Sequence, residues 1–283
     1  MNKYSEDILP VDFSTLRETA RQIRLLDLDT VYNAGAGHIG GEMSAIDILT
    51  TLYFRTLRID PLNTKSNSRD RFILSKGHTA CALYVTLAMR GYFPVDELST
   101  FLKQYSALNG HPNCVKVPGV ETNTGPLGHG LPVAVGMALA AKMSGSDWRV
   151  FVLCGDGEMQ EGSNWEAIMT AAQYKLDNLV LIVDHNRLQQ GATVGETIAI
   201  APISEKTSAF GWASVNVDGH DYEQLAESFD SSNVVKDKPK CIVAHTSKGQ
   251  GISFMKDRVE WHHKVPNEEQ YKQARKELEQ SAA

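Results

Sequence analysis

Two oxygen-bearing side chains at the ends of apolar runs, and several histidines lodged among glycines, are the groups in this sequence with chemistry to offer. Asp156 sits between Gly155 and Gly157, after the run Val150 to Leu153, and Asn186 follows Asp184 and His185, after Leu179 to Val183. A carboxylate and an amide oxygen are hard donors, suited to Mg²⁺ or Ca²⁺ rather than to a softer metal. Magnesium held by only two or three protein ligands completes its octahedron with phosphate oxygens and water, which points to a ligand carrying a diphosphate. Gly155 and Gly157 allow the backbone to approach such a ligand. Gly-Asp-Gly alone is equally an ordinary turn. The second run, closing on Asn186, favours the metal.

The histidines recur at loop boundaries. His38 lies in a glycine-rich stretch from Asn33 to Gly41, His78 follows Ser75, Lys76 and Gly77, His111 follows Asn109 and Gly110, and His129 follows Gly128. Imidazole changes charge near neutral pH and so serves as a general acid or base. One histidine beside a glycine is ordinarily a satisfied surface or core group; four in such places form a pattern.

The elements that position these groups can be read from periodicity. Val150 to Leu153 and Leu179 to Val183 are too short and apolar for helices, while Asn164 to Tyr174 carries Trp165, Ile168, Met169 and Ala172 at helical spacing. Strand, helix, strand implies parallel pairing, with Asp156 and Asn186 at the carboxyl ends where open α/β sheets bind ligands. The helix beginning near Ser163 or Asn164 adds free N–H groups to an anion site. Further strands fall near 72, 214 and 243, giving an α/β fold with a parallel sheet of about five core strands flanked by helices. Other helices are expected from Asp12 to Leu28, capped by Asp12 or Ser14; from a Ser44 cap through Tyr53; from Ala82 to Ala88; and from Pro132 to Lys142. The segment Ser228 to Lys240 reads as a helix end with a loop, and Asn267 to Gln280 as a solvated helix.

Composition bounds the function. The 283 residues are 42% hydrophobic and 22% charged, an ordinary globular balance, and residues 1–283 read as a single domain. A net charge of −6 disfavours nucleic acid as a partner, and no apolar run approaches a membrane span. The first ten residues lack the apolar segment of a leader, and the four cysteines have no metal-type spacing. A reducing, cytoplasmic location is expected.

The stretch from Arg149 to Gly191 resembles the thiamin diphosphate signature, GDG followed after a helix by an Asn that ends a strand. Around it GHIGGEMS, SKGHTACALY, NGHPN, TGPLGHGL, GDGEMQEGSNWEA and VDHNRLQ follow the order of the transketolase family, and TSKGQG and Trp261-His262 extend the likeness over essentially the whole chain. The resemblance implies that Asp156, Asn186 and the Leu188 carbonyl hold Mg²⁺, with Ca²⁺ or Mn²⁺ as substitutes, against thiamin diphosphate. It places Gly155 and Gly157 by the diphosphate and Gly125 and Leu127 against the cofactor's rings. His38, His111 and His262 face the substrate, His78, Glu161 and His262 also touch the cofactor, and Glu161 and Glu166 lie toward a subunit interface that joins the active sites. Departures from the family pattern are Ile39 for Pro, Asn113 for an acidic residue, His129 for Gln, Gln190 for Asp, and His263 for Gly.

The same likeness defines what is missing. Common transketolases carry a second domain that grips the pyrimidine ring and supplies its activating glutamate. The chain thus resembles the N-terminal subunit of a split transketolase, moving a two-carbon ketol unit between sugar phosphates in a heterotetramer of two such chains and two C-terminal partner subunits. Two other readings are the alpha subunit of a 2-oxo acid dehydrogenase-type enzyme and a non-catalytic subunit that merely binds the cofactor.

Overall fold

All five apolar runs form strands, and their carboxyl ends open toward one edge. The computed structural model describes residues 11–281, so the reading of residues 1–10 as free of a leader lies outside the described residues. In chain order the elements are α1 (Phe13–Ala34), α2 (Ile39–Thr51), β1 (Arg71–Leu74), α3 (Ala80–Arg90), α4 (Gly130–Met143), β2 (Val150–Gly155), α5 (Gly162–Gln173) and β3 (Leu179–His185). There follow a small hairpin of β4 (Leu188–Gln189) and β5 (Ala192–Thr193), then α6 (Val194–Thr197), α7 (Ile203–Ala209), β6 (Ala213–Asp218), α8 (Tyr222–Phe229), β7 (Lys240–His245) and α9 (Glu268–Gln280). The main sheet runs β1-β2-β3-β7-β6 and every neighbouring pair in it is parallel.

Strand alternation divides the core in two. Phe151, Leu153, Val180, Ile182, Ile242 and Ala244 face α1, α2, α3 and α8. Val150, Val152, Leu181, Val183, Cys241 and Val243 face α4, α5 and α7. Because both faces are covered, the central strands read as unbroken apolar runs rather than alternating ones.

Three helices differ from their expected form. α1 continues past Leu28 to Ala34, where Gly35 at φ 67° closes it; Asp12 caps its start, accepting from the Thr15 N–H at 2.8 Å. The polar Asp27 and Asp29 interrupt the apolar pattern, yet Asp27 is fully buried. Ser44 does not cap α2, which starts five residues earlier at Ile39; all its residues are buried, so no amphipathic stripe marks its start. α9 is not simply solvated. It begins with a capping box of Asn267 and Gln270, buries Ala274 and Leu278, and docks on α1. Tyr271 stacks on Tyr32 at 4.1 Å and, with Arg275, bonds Asp29. Among the described residues no helix is long and apolar enough to cross a membrane.

Charges buried between α1 and α2 fix their contact. Arg24 donates to both oxygens of Asp47, at 2.9 and 2.6 Å, and His220 and Tyr222 bond the same carboxylate. Nearby Asp27 and Glu42 are also fully buried, and burial pushes the Asp27 carboxyl up to about 7 and Glu42 well above its usual range. Asp27 therefore holds a proton in the folded chain where the unfolded chain, with an ordinary value of 3.8, has lost it. Its contribution is fully present below that lower value and is lost as pH rises through about 7. Asp27→Asn removes this slope, so in denaturant titrations the variant should gain stability over the parent at about pH 8 relative to about pH 5.

Candidate active site

A buried ion pair draws four segments together at the carboxyl edge. Lys76, after β1, donates to the Asp184 carboxylate in β3 and to the Gly41 carbonyl of α2 at 3.1 Å. Ser44 donates to Asp184 at 2.6 Å and Thr246, after β7, bonds its other oxygen. Ser44 thus serves the site rather than a helix end. Glu158 makes a second knot: it accepts from the Ser75 hydroxyl and from the Gly128 and Gly155 N–H groups at 3.1 and 3.0 Å. Burial raises the Glu158 carboxyl, with these donors pulling it back.

Between the knots lies a cavity of about 500 Å³. Asp156 and Asn186 flank it at adjacent strand ends, joined by the Asp156 N–H donating to the Asp184 carbonyl at 3.1 Å. The Asp156 carboxylate is aimed by the Gly157 N–H (2.8 Å), the Arg187 N–H (2.6 Å) and His185 (3.1 Å). Asn186 accepts the Leu188 N–H at 3.1 Å, and Leu188 borders the same space. The chemistry of this donor set, hard oxygens from strand ends, fits a small oxygen-seeking cation beside an anion. Two ammonium groups supply positive charge for such an anion, Lys76 and Lys248. Lys248 bonds the neutral His262 ring at 2.8 Å and the Leu188 carbonyl at 3.4 Å, and burial, then repulsion from Lys76, brings it down to about 8.

Opposite these groups stand the imidazoles. His38 and His78 have ring centroids 5.2 Å apart, and each lies 5.5 Å from His262. His111 joins from a loop whose position requires a glycine: Gly125 has φ 147°, and a Cβ there would come within 2.9 Å of the His111 ring. Burial lowers His78 well below the ordinary range, His38 to about 4 and His262 to about 3. Neighbouring imidazoles and lysines deepen each shift.

Every residue singled out from the sequence for catalysis, cofactor or metal lines this cavity: His38, His78, His111, His262, Gly125, Leu127, Gly155, Asp156, Gly157, Glu161, Asn186 and Leu188. His129 does not; it is exposed and its ring bonds the Leu127 carbonyl at 3.0 Å. Glu166 is exposed on α5, away from the cavity lining. The start of α5 does not line the cavity either, because a 3₁₀ turn, Gly157–Gln160, precedes it and supplies Glu158 and Gln160 in its place. Sequence reasoning passed over Lys76, Glu158 and Lys248. All three lie inside the motifs that carry the family likeness, and the signal was a lysine or glutamate close to a glycine that follows a strand.

Residues 15–282 match the family described as transketolase, thiamine diphosphate binding domain. The chain belongs to the transketolase family. It is 44% identical over 270 residues to one subunit of the apulose-4-phosphate transketolase of Phocaeicola vulgatus, covering 95% of each chain. To the 6-deoxy-6-sulfo-D-fructose transketolase subunit of a Clostridium species it is 38% identical, covering 95% of this chain and 98% of that one. The solved transketolase from Leishmania mexicana superposes with a TM-score of 0.87 at 31% identity, over 93% of this chain and 41% of that one. The chain therefore spans about two fifths of that transketolase. The sheet and its covering helices are those of the family's thiamine diphosphate-binding domain.

Because His38 and His262 are held at about 4 and about 3, both rings stay uncharged across the neutral range. Ring ¹⁵N spectra of the chain should show His38 and His262 neutral at about pH 6, where an ordinary imidazole is already largely protonated. A charged His38 at that pH would contradict the burial seen here.

Proposed function

We propose that this chain is the N-terminal subunit of a split transketolase, which transfers a two-carbon ketol unit from a ketose phosphate to an aldose phosphate. The observation that carries the reading is the meeting, in one cavity, of the Asp156 and Asn186 oxygens with His38, His78, His111 and His262. Asp156, Asn186 and the Leu188 carbonyl would hold Mg²⁺, Lys76 and Lys248 would balance diphosphate charge, and Gly125 and Leu127 would flank the cofactor's rings. Thiamin diphosphate, when bound, supplies the carbon that carries the ketol unit between the two sugars.

The chain's own residues do the proton work. Lys248, as an ammonium, donates to His262 Nδ1, which fixes the ring proton on Nε2 and makes His262 a donor toward a sugar oxygen. Held neutral by burial, His38 and His78 are free to accept a proton from a sugar hydroxyl. The relatives named as subunits, matched over nearly their whole length, support a requirement for a partner chain carrying the pyrimidine half and its activating glutamate. We propose a heterotetramer of two plus two, with Glu161 and Glu166 toward the contact and residues 1–283 as one domain. Apulose 4-phosphate is the first donor to assay, since two relatives are named for it.

Ketol transfer should appear when the chain is combined with the product of the adjacent gene and be absent from the chain alone; full activity without a partner would refute the split-subunit reading. In the combined enzyme, Asp156→Ala should abolish binding of both thiamin diphosphate and Mg²⁺ in a calorimetric titration. His38→Ala, His111→Ala and His262→Ala should lower turnover by about 10²–10⁴-fold while leaving cofactor affinity nearly unchanged.

A further inference from the structure

His263, standing where the family pattern has glycine, completes a three-imidazole group of which the proposed ketol transfer uses only His38 and His262. His38, His262 and His263 each present a ring nitrogen, and these three atoms all lie within 4.8 Å of one another. The ring centroids are 5.5, 4.6 and 4.6 Å apart, with the planes steeply inclined at 86°, 62° and 80°. Three imidazoles bound to one tetrahedral zinc at about 2.0–2.1 Å have centroids roughly 5 Å apart and nitrogens roughly 3.3 Å apart. The ring centroids are thus already spaced as around a shared ion, and the nitrogens, within 4.8 Å of one another, would have to close further by ring rotation to bind it.

The backbone that carries them is fixed. His38 immediately precedes α2, and the first turn of that helix packs so tightly on the next segment that a Cβ on Gly40 would stand 2.7 Å from the Trp261 carbonyl. Trp261 is buried, its indole donating to the Phe254 carbonyl at 3.1 Å, and Gly249 N–H donates to the Gly40 carbonyl at 2.8 Å. His262 and His263 follow Trp261 directly, so both sides of the cluster rest on anchored chain.

We propose that His38, His262 and His263 form a three-imidazole site for a zinc-type divalent ion at the mouth of the cavity, with its remaining coordination position open to water or ligand. Imidazole nitrogens select Zn²⁺, Cu²⁺, Ni²⁺ or Co²⁺ over Mg²⁺, whose preference is for oxygen, so this site and the one at Asp156 take different metals. Because Lys248 donates to His262 Nδ1, the metal either takes Nδ1 and breaks that bond, or takes Nε2 while Lys248 passes a proton to Nδ1 and the displaced Nε2 proton leaves to solvent. The occupied site removes His38 and His262 from the substrate, so the ion acts as an inhibitor; this last step rests on the proposed function, whereas the binding itself does not.

The test is a Co²⁺ titration of the full 283-residue chain under saturating Mg²⁺ without thiamin diphosphate, with Zn²⁺ as competitor. One Co²⁺ per chain is expected, showing the intense visible bands of a four-coordinate ion and displaced by Zn²⁺. His263→Gly and His263→Asn should each weaken binding by at least about tenfold, the loss that even an outer-shell partner typically causes. His263 is exposed, so the fold should survive, as unchanged melting temperatures will show. Equal affinity in parent and both variants, or no Co²⁺ bound over excess Mg²⁺, overturns the site. In the combined enzyme Zn²⁺ should inhibit the parent at least about tenfold more potently than His263→Gly. His263-dependent binding with no ketol transfer in any form upholds the metal site and counts against the transketolase reading alone.

Discussion

The ion pair between Lys76 and Asp184 is the constraint on which the rest of the cavity depends. An ammonium and a carboxylate that are both nearly inaccessible to water each lose several kcal/mol of hydration, roughly, and that loss is tolerable only when the pair is close and its remaining donors and acceptors are filled. Gly41, Ser44 and Thr246 fill them. The requirement for complete satisfaction is what locks the start of α2 and the ends of β1, β3 and β7 into one geometry. Removing either charge would strand the other, a cost of about 3–5 kcal/mol for buried pairs. With Lys76 already paired, the larger share of the attraction for an anion comes from Lys248, whose partners in the cavity are an imidazole and a carbonyl rather than a carboxylate.

Much of the fold was legible because its strands are short apolar runs stopped by polar residues or Gly, the pattern expected of parallel strands whose two faces are covered. Asp156 and Asn186 could be located for the same reason: they are the stopping residues. The lining lysines and Glu158 could not, since their meaning lies in distant partners. Ser75 and Glu158 are 83 positions apart, and Lys76 and Asp184 are 108 apart. α2 hid its start by being buried on every side, which erases the periodicity by which helices are found. The polar face of α9 concealed its docking, because Tyr271 and Arg275 look like surface residues until Tyr32 and Asp29 are set beside them. His263 was visible only as a departure from glycine, and its neighbours gave no hint that His38 would lie 4.6 Å away.

The histidines show how one physical effect serves two ends. Removing water from around imidazole disfavours its charged form. Here the same burial keeps His38, His78 and His262 neutral, each with a lone pair for a proton, and two of them, His38 and His262, also face the proposed metal ion. Protons and metals compete for the same electrons, so a cluster kept neutral for catalysis near neutral pH is also exposed to capture by ions that prefer nitrogen.

The docking of α9 on α1 also bears on the time course of folding. Asp29 receives Tyr271 from 242 positions further along the chain, and Tyr32 meets the same ring. A ribosome adding about 5–20 residues per second leaves α1 without that cover for roughly 10–50 s after Asp29 is made. During that interval Tyr32 and the acidic Asp29 stay open to solvent, and the nascent chain presents an unfinished helical layer while its sheet is still being added strand by strand. Pairings between distant segments are slow to form in any case. A chain built this way completes its α1 layer only once α9 has been made, and until then the half-finished domain is the form that chaperones would meet.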